Sequence, residues 1–159
     1  MALVVGSDPD AVLIIRRAER VGDPWSGHMS FPGGRRDKAD EHLLATALRE
    51  TMEEVGLVLR AHVLIGQLDD IAPRSTDIPS LFARPYVFAV EGHPHTSPNH
   101  EVSGIFWVPL AVLRDPDVFG EYTLKVGSAS RTFPAYNLEH GTIWGMTERM
   151  LTMLLTPLD

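Results

Sequence analysis

Residues 47–56 read Ala47-Leu48-Arg49-Glu50-Thr51-Met52-Glu53-Glu54-Val55-Gly56. Working back from this stretch, Leu44, Leu48, Met52 and Val55 recur at helical spacing and predict a helix over Glu41–Val55 with those side chains as its core stripe. Asp40 stands where a carboxylate can accept from the free N–H groups of the first turn, and Gly56 where a left-handed terminator is wanted. Glu50, Glu53 and Glu54 then fall at i, i+3 and i+4, on one face of that helix. Like charges so placed repel one another, and a bound divalent cation would remove the penalty. Hard cations such as Mg2+ take carboxylate oxygens, keep some waters and often share substrate phosphates. Arg49 precedes Glu53 by four residues, so it is placed to orient that carboxylate rather than to stabilise the fold. A solvated acidic face is the plain alternative for any single Glu pair. The full string, Arg-Glu-x-x-Glu-Glu-x-Gly, arises by chance in roughly one chain in ten thousand of this length at average residue usage.

Outward from the helix the chain reads as alternating short strands and turns. Ala2–Gly6 and Ala11–Arg16 are two strands around the turn-rich Ser7-Asp8-Pro9-Asp10. An irregular loop over 17–27 leads to a short strand, Met29–Phe31, ended by Pro32-Gly33-Gly34. After the helix, Val63–Leu68, Tyr86–Val90 and Ile105–Val108 read as strands, Leu110–Leu113 as a helical turn, and Tyr122–Val126 with Arg131–Tyr136 as a hairpin. Thr142–Leu155 reads as a second helix with Ile143, Met146, Met150, Met153 and Leu154 inward, stopped by Pro157. Mixed strands with two main helices predict one α/β domain over 1–159, an α/β/α sandwich around a mixed β-sheet.

Composition narrows the partners. With 159 residues, 44% of them apolar, the chain can bury a real core, and no run is long enough for a membrane span. It has no cysteine, hence neither disulfides nor thiolate metal ligands, and the opening MALVVGSDPD lacks a secretory leader, so a cytoplasmic location is expected. A net charge of −7 repels nucleic acid, and equally a small phosphorylated substrate unless arginines or a cation correct the field locally. No nucleic acid and no membrane is therefore expected as a partner.

The stretch resembles the Nudix box, whose pattern is Gly, five residues, Glu, seven residues, then Arg-Glu-apolar-x-Glu-Glu-x-Gly-apolar. Arg49, Glu50, Glu53, Glu54, Gly56 and Leu57 match its second half, and Glu41 lies seven residues before Arg49. Thr51 occupies an apolar slot, and six residues separate Gly34 from Glu41, so either Glu41 or Asp40 takes the first acidic slot. The resemblance extends to Phe31-Pro-Gly-Gly34, to Glu101 with Phe106-Trp-Val-Pro-Leu110, and to Phe133-Pro-Ala-Tyr136 with Ile143-Trp-Gly-Met-Thr147. The last pair is similar to the coenzyme A pyrophosphatase branch. Leu13-Ile-Ile-Arg-Arg-Ala18 matches that branch loosely, and Gly27 lies correctly before Phe31, but the expected arginine between them falls on Gly22 or Asp23.

The resemblance implies Mg2+- or Mn2+-dependent hydrolysis of a diphosphate bond. Coenzyme A or acyl-coenzyme A is the expected substrate. The alternatives are ADP-ribose, a dinucleotide or a nucleoside triphosphate, or a non-catalytic nucleotide-sensing module. It further implies Glu50, Glu53 and Glu54 as metal ligands, with the Gly34 carbonyl beside them, and Glu53, Glu54 or Glu101 as the group that orients or deprotonates water. Arg35, Arg36, Arg16 and Arg74 are candidate phosphate partners, Arg35 foremost because it adjoins the Gly-Gly turn. His93, His95 and His100 in GHPHTSPNH fit no transition-metal spacing. Trp107 reads as core, as do Trp25 and Trp144, although an indole can also line a pocket. The Met-rich last helix reads as core or as a homodimer face.

Overall fold

The computed structural model describes residues 1–23, 25–73, 81–126 and 129–156. The strands at its centre are β1 (Ala2–Gly6) and β2 (Ala11–Arg17). Both are apolar at nearly every position because both faces of their sheet are covered. Leu3, Val12 and Ile14 point to one core, and Ala2, Val4, Leu13 and Ile15 to the other. β2 pairs antiparallel along β6 (Val102–Pro109), and on its other edge with β1 at its start and with β3 (Met29–Ser30) at its end. β1 pairs parallel with β5 (Tyr86–Val90), and β5 antiparallel with β4 (Leu64–Gln67), which gives a mixed six-stranded sheet. β4 follows a 3-10 turn over Ala61–Val63.

One face of the sheet carries α1 (Leu43–Val55), whose Ala47 and Val55 meet Ala2, Val4, Leu13, Ile15 and Phe88. The short helix α2 (Leu110–Leu113) follows β6. A second, antiparallel sheet is formed by β7 (Phe119–Val126), β8 (Ala129–Leu138) and β9 (Gly141–Trp144), in that order. Its Tyr136 and Ile143 join Met150 and Leu151 of α3 (Met146–Leu155) on the other face of the main sheet. The layers are those of an α/β/α sandwich, as the sequence predicts. Among the described residues, no helix is long and apolar enough to cross a membrane.

Three sequence expectations are corrected. The first helix starts at Leu43, not Glu41, and its cap is His42, whose Nδ1 accepts from Ala45 N at 3.0 Å. Asp40 does not cap it because its carboxylate is already engaged by Asp37 N, Thr46 and Arg49. Met52 is 53% exposed while Thr51 is fully buried, so the core face runs through Ala47, Thr51 and Val55. The Thr51 hydroxyl tolerates this because it donates to the Ala47 carbonyl at 2.7 Å. Finally, Thr142–Trp144 is strand rather than helix: Thr142, Ile143 and Trp144 pair with Asn137, Tyr136 and Ala135, and Gly145, at φ 72°, turns the chain before α3 begins. Pro157 and Arg74 lie outside the described residues.

Candidate active site

The site is assembled where the Gly-Gly bend after β3 passes over the C-terminal half of α1. Phe31 is fully buried and anchors the bend in the core. Gly33 then donates its N–H to Glu54 Oε2 at 2.8 Å. A Cβ on Gly34 would collide with the Glu50 carboxylate where it now lies, so any larger residue would displace that side chain from its present position. Glu54 is 2% exposed, on the inward side of α1. Burial pushes its carboxyl up to about 7; the Gly33 N–H pulls the other way and the nearby Glu50 charge pushes further. Burial also raises Glu50, against the opposing charge of Arg49.

Arg49 organises the rim. Its Nε and Nη2 form a fork on Asp40, donating to Oδ1 and Oδ2 at 3.1 and 3.0 Å. Its Nη1 meets Glu50 at 2.9 Å and Glu53 at 3.0 Å, and Nη2 reaches the Arg35 carbonyl at 3.2 Å. This guanidinium holds the Asp40 carboxyl well below the usual carboxylate range. Of the two acids left open for the first acidic slot, Asp40 is the one that Arg49 engages. Glu41 is exposed and, among the described residues, gives only its carbonyl, to Arg36.

Glu101 arrives from the loop that precedes β6. Ser97 N and Asn99 N donate to the carbonyls of Val55 and Glu54, which stitches the incoming loop onto the end of α1. Asn99 Oδ1 then accepts from Glu101 N at 2.8 Å. Glu101 sits just ahead of β6, where its carbonyl accepts from Ala18 N at 2.7 Å and its Oε1 from Arg20 Nη2 at 3.1 Å. Glu50, Glu53, Glu54 and Glu101, with Asn99 and His100, line a cleft of about 480 Å³.

Among the described residues, no three acidic or imidazole side chains already enclose a point that a cation could fill. Glu50 and Glu53 are turned onto Arg49, and Glu54 onto Gly33. The donor chemistry nonetheless fits a hard cation: the cleft offers carboxylate oxygens and no thiolate, and the approach over Gly34 is free of a Cβ. A buried and a half-buried carboxyl, Glu54 and Glu50, whose ionised form is disfavoured are what an added positive charge would relieve.

Two of the candidate phosphate partners, Arg36 and Arg16, are engaged elsewhere. Arg36 spends its guanidinium on the carbonyls of Asp40 and Glu41, holding the loop before α1. Arg16 lies over the Phe106 ring at 5.4 Å and donates to the His140 carbonyl. Arg35 is exposed beside the bend, and its side chain makes no hydrogen bond among the described residues. Trp107 stacks on His93 at 4.9 Å, and Trp144 is ringed by His28, Tyr122 and Phe133; these contacts are packing. Sequence reasoning missed Arg17 and Arg20. Arg17 pairs with Asp23 at 2.9 Å, and Arg20 reaches Glu101 across 81 positions of chain, a separation that no local pattern announces.

The comparisons with known proteins agree with this geometry. A family model described as the NUDIX domain matches residues 1–125. An uncharacterized protein of Schizosaccharomyces pombe is 37% identical over 132 residues, covering 79% of this chain and 40% of its own. The mitochondrial coenzyme A diphosphatase NUDT8 of Homo sapiens is 32% identical over 141 residues, covering 86% of this chain and 58% of its own. The chain thus spans about half the length of these curated relatives. Among solved structures, a MutT/nudix family protein from Enterococcus faecalis superposes with a TM-score of 0.61 at 20% identity, over 94% of this chain and 58% of that one. With the match covering most of the chain, and the carboxylate helix lying under its glycine bend, this chain belongs to the Nudix family.

Proposed function

We propose that the chain hydrolyses the diphosphate bond of coenzyme A or an acyl-coenzyme A, with Mg2+ or Mn2+ as cofactor. The observation that carries the reading is the convergence of Glu50, Glu53, Glu54 and Glu101 on one cleft beneath the Gly33-Gly34 bend. The substrate class is supported by the 32% identity to a coenzyme A diphosphatase and by the Phe133–Tyr136 and Ile143–Thr147 segments.

A divalent cation held by Glu50, Glu53 and Glu54, with the Gly34 carbonyl beside them, would neutralise phosphate oxygens and stabilise the charge that develops on them. The residues of the chain do the rest. Water adds to one phosphorus, the bond from that phosphorus to the bridging oxygen breaks, and the two halves leave as phosphate monoesters. The helix carboxylates serve as ligands, so the water's proton falls to Glu101, which lines the same cleft from another segment of the chain. Arg49 fixes the rotamers of Glu50 and Glu53, and Arg35, exposed beside the bend, serves as the partner of the outer phosphate in this reading.

The test is a Mg2+-supplemented panel of coenzyme A, acetyl-coenzyme A, ADP-ribose, dinucleotides and nucleoside triphosphates, run in isotopic water. Coenzyme A should give phosphopantetheine and adenosine bisphosphate, with label in one product. Intact coenzyme A beside fast ADP-ribose cleavage would overturn the substrate assignment. No cleavage of any member, together with saturable nucleotide binding, would favour the sensing module.

A further inference from the structure

Register fixes where the chain leaves β2. Arg17 pairs with Val102 across a bulge at the end of the β2–β6 ladder, and the next backbone bond is Ala18 N to the Glu101 carbonyl. The segment that follows is held by its own bonds. Arg20 N donates to Ser26 Oγ at 2.8 Å, and the Arg20 carbonyl accepts from Asp23 N at 3.2 Å. Asp23 in turn takes Arg17 Nη2 at 2.9 Å and Trp25 N at 2.9 Å. The backbone under Arg20 is therefore set before its side chain is considered. From that base its guanidinium reaches Glu101 Oε1 at 3.1 Å.

We infer that Arg20 is a positioning residue for the hydrolysis, acting through Glu101 to hold its carboxylate at the wall of the cleft. The inference rests on the reading of Glu101 as the group that takes the water's proton. Left alone, Glu101 faces Glu50, Glu53 and Glu54 in one cleft, and like charge would drive its side chain outward. Arg49 is committed to Asp40, Glu50 and Glu53, so Arg20 is the guanidinium that answers Glu101. His100 lies at 3.7 Å from the same oxygen and is more exposed than Glu101, so it offers weaker restraint. Both members of the Arg20–Glu101 pair are more than one-third exposed, so the pair adds little to stability. Its effect is on geometry, where a small displacement of the base costs rate.

The experiment is a double-mutant cycle on whichever panel substrate the wild type cleaves, using Arg20→Ala, Arg20→Lys, Glu101→Gln and the Arg20→Ala/Glu101→Gln double variant. Arg20→Ala should lower kcat about tenfold or more with KM within about threefold, and Arg20→Lys should return to within about threefold of wild type. In the Glu101→Gln background, the Arg20 change should alter kcat by less than about twofold, since the residue it positions is gone. A rise in KM alone would assign Arg20 to the substrate's phosphates instead, and fully multiplicative losses would separate it from Glu101; either result overturns the inference. A second readout needs no turnover. In protein carrying carbon-13 glutamate, the Glu101 carboxyl resonance, assigned by its absence in Glu101→Gln, should move in Arg20→Ala. It should stay in place in Arg114→Ala, beyond the opposite end of β6. An unmoved resonance refutes the inference. An inert wild type with a moved resonance refutes the proposed reaction while leaving Arg20 as the group that places Glu101.

Discussion

Glu54→Gln should make the cation-free protein more stable at neutral and alkaline pH while abolishing Mg2+-dependent hydrolysis. Glu54 is 2% exposed, and burial lifts its carboxyl from 4.5 to about 7 in the folded chain. A carboxyl raised by folding prefers its protonated form there. Its contribution is fully present below its ordinary value and is lost as pH rises through about 7. Applying the linkage relation to those two values, the wild type should lose about 2.5 kcal/mol between pH 5 and pH 8 through this group alone. Glutamine keeps an acceptor for Gly33 N but cannot ionise, so the variant should not show that loss. For a domain of this size the gap amounts to roughly 5–10 °C in Tm at pH 8. The assay is thermal and urea denaturation of both proteins in EDTA across pH 5–8. The difference between their curves is the readout: groups that do not feel the Glu54 charge cancel, and the Met1 amino group, which that charge raises, adds a smaller part of the difference. Saturating Mg2+ at pH 8 should then raise the wild type and leave Glu54→Gln in place, with turnover lost in the variant. Parallel pH profiles, or equal stabilisation of both proteins by Mg2+, would refute the account of Glu54.

The remaining predictions concern its neighbours. Gly34→Ala puts a methyl group into the Glu50 carboxylate and should cut kcat about tenfold or more with circular dichroism unchanged, whereas wild-type turnover would show that Glu50 has room to move. Arg49→Lys replaces a fork on Asp40 with a point charge and should lose at least about tenfold in kcat, since one ammonium cannot hold Asp40, Glu50 and Glu53 together. EDTA should stop hydrolysis and Mn2+ restore it. In a Mn2+ titration followed by electron paramagnetic resonance, Glu53→Gln should raise the half-saturating concentration about tenfold. Equal titrations for both proteins would remove Glu53 from the ligand set.

Legibility in the sequence followed how local each feature is. The strands at Ala2–Gly6 and Tyr86–Val90 announce themselves through composition and period and lie where the pattern puts them, and the carboxylate helix ends at Val55 as read but begins two residues later than read, at Leu43. Thr142–Trp144 misled because Ile143, Met146 and Met150 also fit a helical period; pairing with β8 decided against it, and that partner is chosen in three dimensions. Met52 and Thr51 exchanged roles for a similar reason. A threonine that bonds its own helix backbone can be buried, and the face it shares is fixed by the sheet below. In the site, the spacing of Glu50, Glu53 and Glu54 was readable, since one helix carries them. The Arg20–Glu101 pair and the diversion of Arg36 onto loop carbonyls depend on how distant segments meet, and residue identity alone does not encode that.

The fork between Arg49 and Asp40 has a bearing on how such chains are found. Five residues separate Gly34 from Asp40, as in the pattern, and eight rather than seven separate Asp40 from Arg49, yet the salt link closes. Electrostatic capture by a long, forked side chain forgives a slip in numbering that a backbone-only junction would not. Searches that demand fixed intervals will pass over relatives with the same indel. Allowing the acid to float by one place, while insisting on the arginine that receives it, should recover them.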